Sequence, residues 1–141
     1  MKRKVVIFVL MAVLVTLGFV SCSKNRGLID IHNSRLTLDW TGVYKGTIPS
    51  ASGSGIDVTM KLNIDDTYEL TYKYIDNPEN SFTSKGKFEW DDTWEFIKLD
   101  IAPDTPSHYK VAENKLIQLD MEGNLITGDL ADYYVLLKEA E

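Results

Sequence analysis

One thiol, two imidazoles, two pairs of adjacent carboxylates and one Ser/Gly-rich stretch are the groups in this chain that could do chemistry. The thiol is Cys22, the only cysteine, so no intramolecular disulfide can form and no Cys-based metal cluster can be assembled. His32 and His108 lie far apart in sequence and do not make a pair at metal-ligand spacing. Asp65-Asp66 and Asp91-Asp92 are paired carboxylates, but each falls where a hairpin turn is expected, and neither has the alternating oxygen ligands and central glycine of a calcium loop. Ser50, Ser52 and Ser54 surround Gly53 and Gly55 and offer hydroxyls to a nucleophile or a phosphate cradle. The strand–elbow–helix setting of a nucleophilic serine is missing, and no acid–His pair can be identified. The stretch reads as a hairpin loop, and the chain as a non-enzyme with no catalytic residues and no cofactor.

The chemistry left for Cys22 follows from what precedes it. Lys2, Arg3 and Lys4 open the chain, and Val5 to Val20 runs apolar apart from Thr16 and Gly18. That run is short for a membrane span and of the size of a signal-peptide core. It ends in Phe19-Val20-Ser21-Cys22, which resembles a lipobox, with Phe19 where Leu is usual. The resemblance implies cleavage before Cys22 and lipid on its sulfur, so residues 1–21 are assigned as a lipoprotein signal peptide. Residues 22–37 are mostly polar and are assigned as a lipidated tether, though Leu28, Ile29 and Ile31 interrupt the pattern. Ser23 directly after the cysteine implies, by analogy with lipoprotein sorting, the outer membrane facing the periplasm. The competing assignment, an uncleaved anchor helix with an incidental cysteine, does not explain why the one cysteine ends the apolar run.

Charge narrows the partners. The whole chain carries a formal −6, and loss of Lys2, Arg3 and Lys4 with the leader leaves 12 basic against 21 acidic residues, a net of −9. No basic stripe remains to neutralise phosphates, so nucleic acid is excluded as a partner. The acidity suits solubility first, and a cationic partner second.

From Leu38 to Glu141 the organising period is two. Ile56, Val58, Met60, Leu62 and Ile64 alternate with Asp57, Thr59, Lys61 and Asn63, which predicts a strand with one dry and one wet face. Tyr68, Leu70, Tyr72 and Tyr74 repeat the rhythm after Asp65-Asp66, and Phe82 to Trp90 repeats it after Asn77-Pro78. Further strands are expected over Leu38–Ile48, Trp94–Ile101, His108–Ala112, Lys115–Asp120 and Tyr133–Lys138. About eight strands at intervals of roughly ten residues predict an all-β fold, a small antiparallel barrel whose closure removes exposed edges. Trp40, Tyr44, Val58, Met60, Leu62 and Leu70 are expected inside it. The candidate ligand or partner surface is aromatic: Tyr68 and Tyr72, with Trp90 and Trp94 bracketing a turn. Core packing and cross-strand ring pairs explain the same residues more simply.

Trp40-Thr41-Gly42-Val43-Tyr44-Lys45-Gly46 with Pro49 and Ser54-Gly55-Ile56 resembles the opening of the NlpE N-terminal domain family, outer-membrane lipoproteins linked to copper resistance and envelope stress. Gly86-Lys87-Phe88-Glu89-Trp90, Leu119 to Asn124 and Tyr134-Val135-Leu136 extend the match across the domain from Leu38 to Lys138. The resemblance implies a lipocalin-like barrel and a tethered binding, stress-sensing or copper-homeostasis module with an envelope protein partner. The family carries a Cys-x-x-Cys directly after the proline, and here those positions are Ser50 and Gly53. Hydroxyls are hard, poor ligands for Cu(I), so the thiolate site does not carry over and no metal site is expected. Two other functions stay open: a lipocalin-like carrier of a small apolar ligand, and copper uptake through Met, His and carboxylates.

Overall fold

The computed structural model describes residues 34–140. Cys22, the leader and nearly all of the expected tether lie outside the described residues. One helical turn, α1 (Ser34–Thr37), precedes eight strands: β1 (Gly42–Ser50), β2 (Gly53–Leu62), β3 (Thr67–Tyr74), β4 (Ser81–Trp90), β5 (Phe96–Leu99), β6 (His108–Ala112), β7 (Lys115–Gln118) and β8 (Val135–Lys138). Each strand pairs antiparallel with the next, and β8 returns to β1 through Tyr44↔Lys138 and Lys45↔Leu137, closing the barrel. The expected all-β, eight-stranded fold is what forms.

The Trp-x-Gly-x-Tyr-x-Gly opening makes physical sense at this seam. Gly42 sits at φ +133°, a conformation side-chained residues avoid. A Cβ on Gly46 would stand 2.6 Å from the Val135 carbonyl, so only glycine lets β1 approach β8. Between them the Tyr44 hydroxyl donates to the Trp40 carbonyl at 2.7 Å. Tyr44, Met60, Leu70, Tyr109, Leu116 and Leu136 are all fully buried, and the six residues expected inside the barrel are all there. A fully buried aliphatic side chain of this kind stabilises the fold by about 1.5–3 kcal/mol.

The departures from the expected elements occur at strand ends. The first strand begins at Gly42, not Leu38, because α1 and the following residues turn across the end of the barrel. Ile64 continues the alternation but is 78% exposed, since β2 stops at Leu62 and Ile64 belongs to the turn. Trp94 is outside β5, at φ +59°, and Tyr133 lies in a 3-10 turn (Ala131–Tyr134) that delays β8. The Ser/Gly stretch is shorter as a loop than expected: Ser50 pairs with Gly53, leaving Ala51 and Ser52 to turn the hairpin.

Candidate functional site

The up-and-down order gives the barrel two unlike ends. At the base lie α1, the β2–β3 and β4–β5 turns, Glu113-Asn114 and the residues after β8. At the mouth lie the β1–β2 hairpin, residues 75–80, residues 102–107 and the long connection 119–134.

The base is a plug. Ser34 is buried and its Oγ donates to the Val111 carbonyl at 2.9 Å. Trp40 packs edge-on against Phe88 and Trp90, with centroids 5.9 and 5.4 Å away, and its indole N–H donates to the Arg35 carbonyl. The Arg35 guanidinium lies 4.7 Å from the Trp94 ring centroid and 5.9 Å from that of Trp90, and pairs with Asp66 at 3.0 Å. A left-handed Trp is strained by about 1–2 kcal/mol, and the cation–π contact offsets this by a comparable amount. Arg35 was expected in the tether; its contacts with Trp94 and Asp66 instead hold α1 against the barrel. The carboxylate pairs are turn residues, as expected: Asp65 accepts from the Thr67 hydroxyl at 2.6 Å, and Asp91 from the Phe96 N–H at 3.0 Å.

The four candidate aromatics do not form one surface. Tyr68 is buried, its hydroxyl donating to the Asp100 carbonyl at 2.8 Å, so it is a core residue. Trp90 and Trp94 belong to the base. Tyr72 alone reaches the mouth: its ring stacks on Phe82 at 6.3 Å and its hydroxyl sits 3.3 Å from that of Tyr109. Burial pushes both tyrosine hydroxyls above their ordinary pKa, keeping them neutral. Alternation on β3 puts Tyr68 and Tyr72 on one face correctly, but that face points inward.

Beside Tyr72 the mouth opens into a cavity of about 380 Å³ walled by Ile48, Ile56, Tyr74, Phe82 and Asp104. A neighbouring cavity of about 360 Å³ shares Ile48 and is lined by Pro49, Ser50, Gly53, Leu130 and Tyr133. Ser50 and Gly53 pair with each other in the hairpin and both line this second cavity. Asp76 stands beside the hairpin, its Oδ2 2.5 Å from where a Gly53 Cβ would be. Its carboxylate accepts from the Ser54 N–H at 2.6 Å and the Ser54 hydroxyl at 2.7 Å, bonds that hold its pKa below the usual range. Asp76 thus ties the β1–β2 hairpin to the β3–β4 connection, a role its position beside Asn77-Pro78 does not reveal.

No three His, Cys, Asp or Glu side chains converge on a metal-sized space among the described residues. Ser54 has a carboxylate but no imidazole; His108 meets Ser107 at 3.2 Å and lies against Gly123 instead. Gln118 is 4% exposed with its Oε1 unpartnered among the described residues, and it faces Tyr109 across β6 and β7.

Fold and ends together define a small up-and-down barrel of the lipocalin-like type, plugged at one end and open at the other. The NlpE N-terminal domain model matches residues 44–129, and the chain belongs to that family. A presumed lipoprotein of Shewanella oneidensis is 43% identical with a TM-score of 0.71, over 78% of this chain and 98% of that one. The Cpx pathway activator NlpE from Escherichia coli is 27% identical with a TM-score of 0.52, over 62% of this chain and 46% of its own. Among curated proteins, no sequence matches.

Proposed function

We propose that this chain is a non-enzymatic envelope lipoprotein of the NlpE type, held on the outer membrane by lipid on Cys22 and facing the periplasm as a binding or stress-sensing module. The family match and the likeness to a presumed lipoprotein over nearly that protein's whole length support the class. The observation that carries the binding role is the contrast of ends: interior side chains fill the base, while the mouth keeps an aromatic-walled cavity. Copper capture through a thiolate pair is not part of this function, because Ser50 and Gly53 stand at the family's cysteine positions. The test is fractionation of cells expressing the natural chain and Cys22→Ala. The natural chain is expected in the outer membrane and the variant in the soluble fraction; a variant still found with membranes would contradict the tether.

A second function, a carrier of a small apolar ligand, draws on the Ile48, Ile56, Tyr72 and Phe82 walls of the same cavity. At about 380 Å³ it lies near the low end of small-molecule sites. Native mass spectrometry of gently extracted protein would show a bound small molecule if this holds, and a clean apo mass would count against it.

A further inference from the structure

The mouth combines exposed apolar side chains, an aromatic-walled cavity and negative charge with no ion pair among the described residues. Tyr74, Ile75, Phe82, Leu130 and Tyr133 are between 38% and 57% exposed, and all stand on the rim. Among them the connection 75–80 contributes Asp76 and Glu79, and 102–107 contributes Asp104. The connection 119–134 adds Asp120, Glu122, Asp129 and Asp132. None of the four mouth connections contains a Lys or Arg. None of these carboxylates has an ion-pair partner among the described residues; towards the base Asp39, Asp66, Glu95 and Glu139 have one, and Asp65, Asp91, Asp92 and Glu113 do not. Lys73, the first cation down the β3 wall, stands opposite Asp57 in the register.

Apolar rim patches mark interaction sites, and their surrounding charge selects the partner. A bare anionic ligand would meet Asp104 with no cation to receive it. A cationic side chain with an apolar stem meets what the cavity offers: ring faces on Tyr74 and Phe82, and a carboxylate on Asp104 at the same wall. We propose that the mouth is a docking surface for a basic, amphipathic segment of a partner protein, with an apolar side chain entering between Ile48, Tyr72 and Phe82 and a Lys or Arg pairing with Asp104. The proposal rests on reading the chain as a binding module, and it names the chemistry of what is bound. A phospholipid surface fits less well, since an anionic bilayer would be repelled by the same carboxylates.

The test uses the full lipidated chain in neutral detergent micelles, with the empty-micelle signal subtracted. It is titrated with a labelled helical peptide of Lys, Leu and Phe, and with a second peptide in which every Lys is Glu. Binding of the Lys peptide is expected to saturate, and the Glu peptide is expected not to bind. Phe82→Ser and Asp104→Asn, both at exposed positions, are each expected to weaken binding about tenfold, the scale of a buried anchor or a paired charge. Leu36→Ser, at the exposed edge of the base, is expected to leave it unchanged, and circular dichroism confirms that each variant is folded. The proposal is overturned if the Lys peptide fails to bind, if the mouth variants bind as the natural chain does, or if Leu36→Ser weakens binding as much. It also falls if a co-purified small molecule, or a second copy of the chain, proves to occupy the mouth and exclude the peptide. Flotation of the same preparation on lipid vesicles reports anchoring separately. Peptide binding without flotation would remove only the tether, and flotation without peptide binding would remove only this proposal.

Discussion

At the base, the polar atoms of Ser34, Trp40 and Tyr44 each have a partner, and the acidic side chains Asp39 and Asp66 are answered by Lys138 and Arg35. At the mouth, among the described residues, the Gln118 oxygen is buried without a partner, the carboxylates have no ion pair, and Tyr74 and Phe82 are partly exposed. Exposed ion pairs contribute little to stability, commonly 0–1 kcal/mol, so the base owes its hold to buried rings rather than to its charges. The ion pairs there fix position. The mouth has one ring stack, Tyr72 on Phe82, and its connections carry no ion pair among the described residues. One end of this barrel is filled by packed side chains, and the other keeps a cavity.

The largest expected consequence is at the plug. Trp40→Ala empties a site that is 5% exposed and touches two other rings, so urea denaturation should show a loss of about 3–5 kcal/mol. A loss under about 1 kcal/mol would mean the base is not the stabilising end.

Alkaline titration probes the buried hydroxyl at the base. Burial, with Asp39 nearby as a smaller cause, raises the Tyr44 hydroxyl from 10.0 to about 12. Its protonated form is favoured by folding, so that contribution is complete below pH 10 and is lost as pH rises through about 12. The natural chain should lose stability across this window, and Tyr44→Phe should remove part of the pH dependence.

Arg35→Ala should cost less than the Trp40 change, about 1–2 kcal/mol, because it deletes two ring contacts and a partly exposed ion pair. Arg35→Lys should recover only part of this, since an ammonium lacks the planar face that a guanidinium offers to an aromatic ring.

The smallest stability effect is expected at the mouth, where the outcome is instead chemical. Ser50→Cys with Gly53→Cys places a thiol pair on the hairpin, but the new Cβ at residue 53 presses on the Asp76 carboxylate. Cu(I) titration should show tighter binding than the natural chain, and a further gain of at least about tenfold when Asp76→Ala is added, since removing the carboxylate frees room for the thiolate and lifts its repulsion. Equal affinity with and without Asp76 would show that the carboxylate does not block the site.

Much of this was legible in the residues. Strict alternation from Ile56 to Leu62 and from Tyr68 to Tyr74 specifies strands and the inward face, because a one-residue slip would expose every apolar side chain. What alternation cannot specify is where a strand stops. Ile64 keeps the pattern while belonging to a turn, and Trp94 looks like a strand residue until its backbone is seen to be left-handed. Tyr68 and Tyr72 could be placed on one face, but whether that face meets a ligand or the core depends on strands far away in sequence. Arg35 carried no local signal: its partners Asp66 and Trp94 lie in two different turns, and only closure of the barrel brings them together. Asp76 is hidden for the same reason, being joined to Ser54 across a strand pair rather than along one.

Native-state hydrogen exchange on the full chain tests the two-ended account most directly. The amides of Tyr44, Phe88 and Val111 should exchange only through global unfolding, while those of residues 75–80, 102–107 and 119–134 exchange through local openings of much lower free energy. Protection spread evenly over both ends, or a base that opens before the mouth, would contradict it.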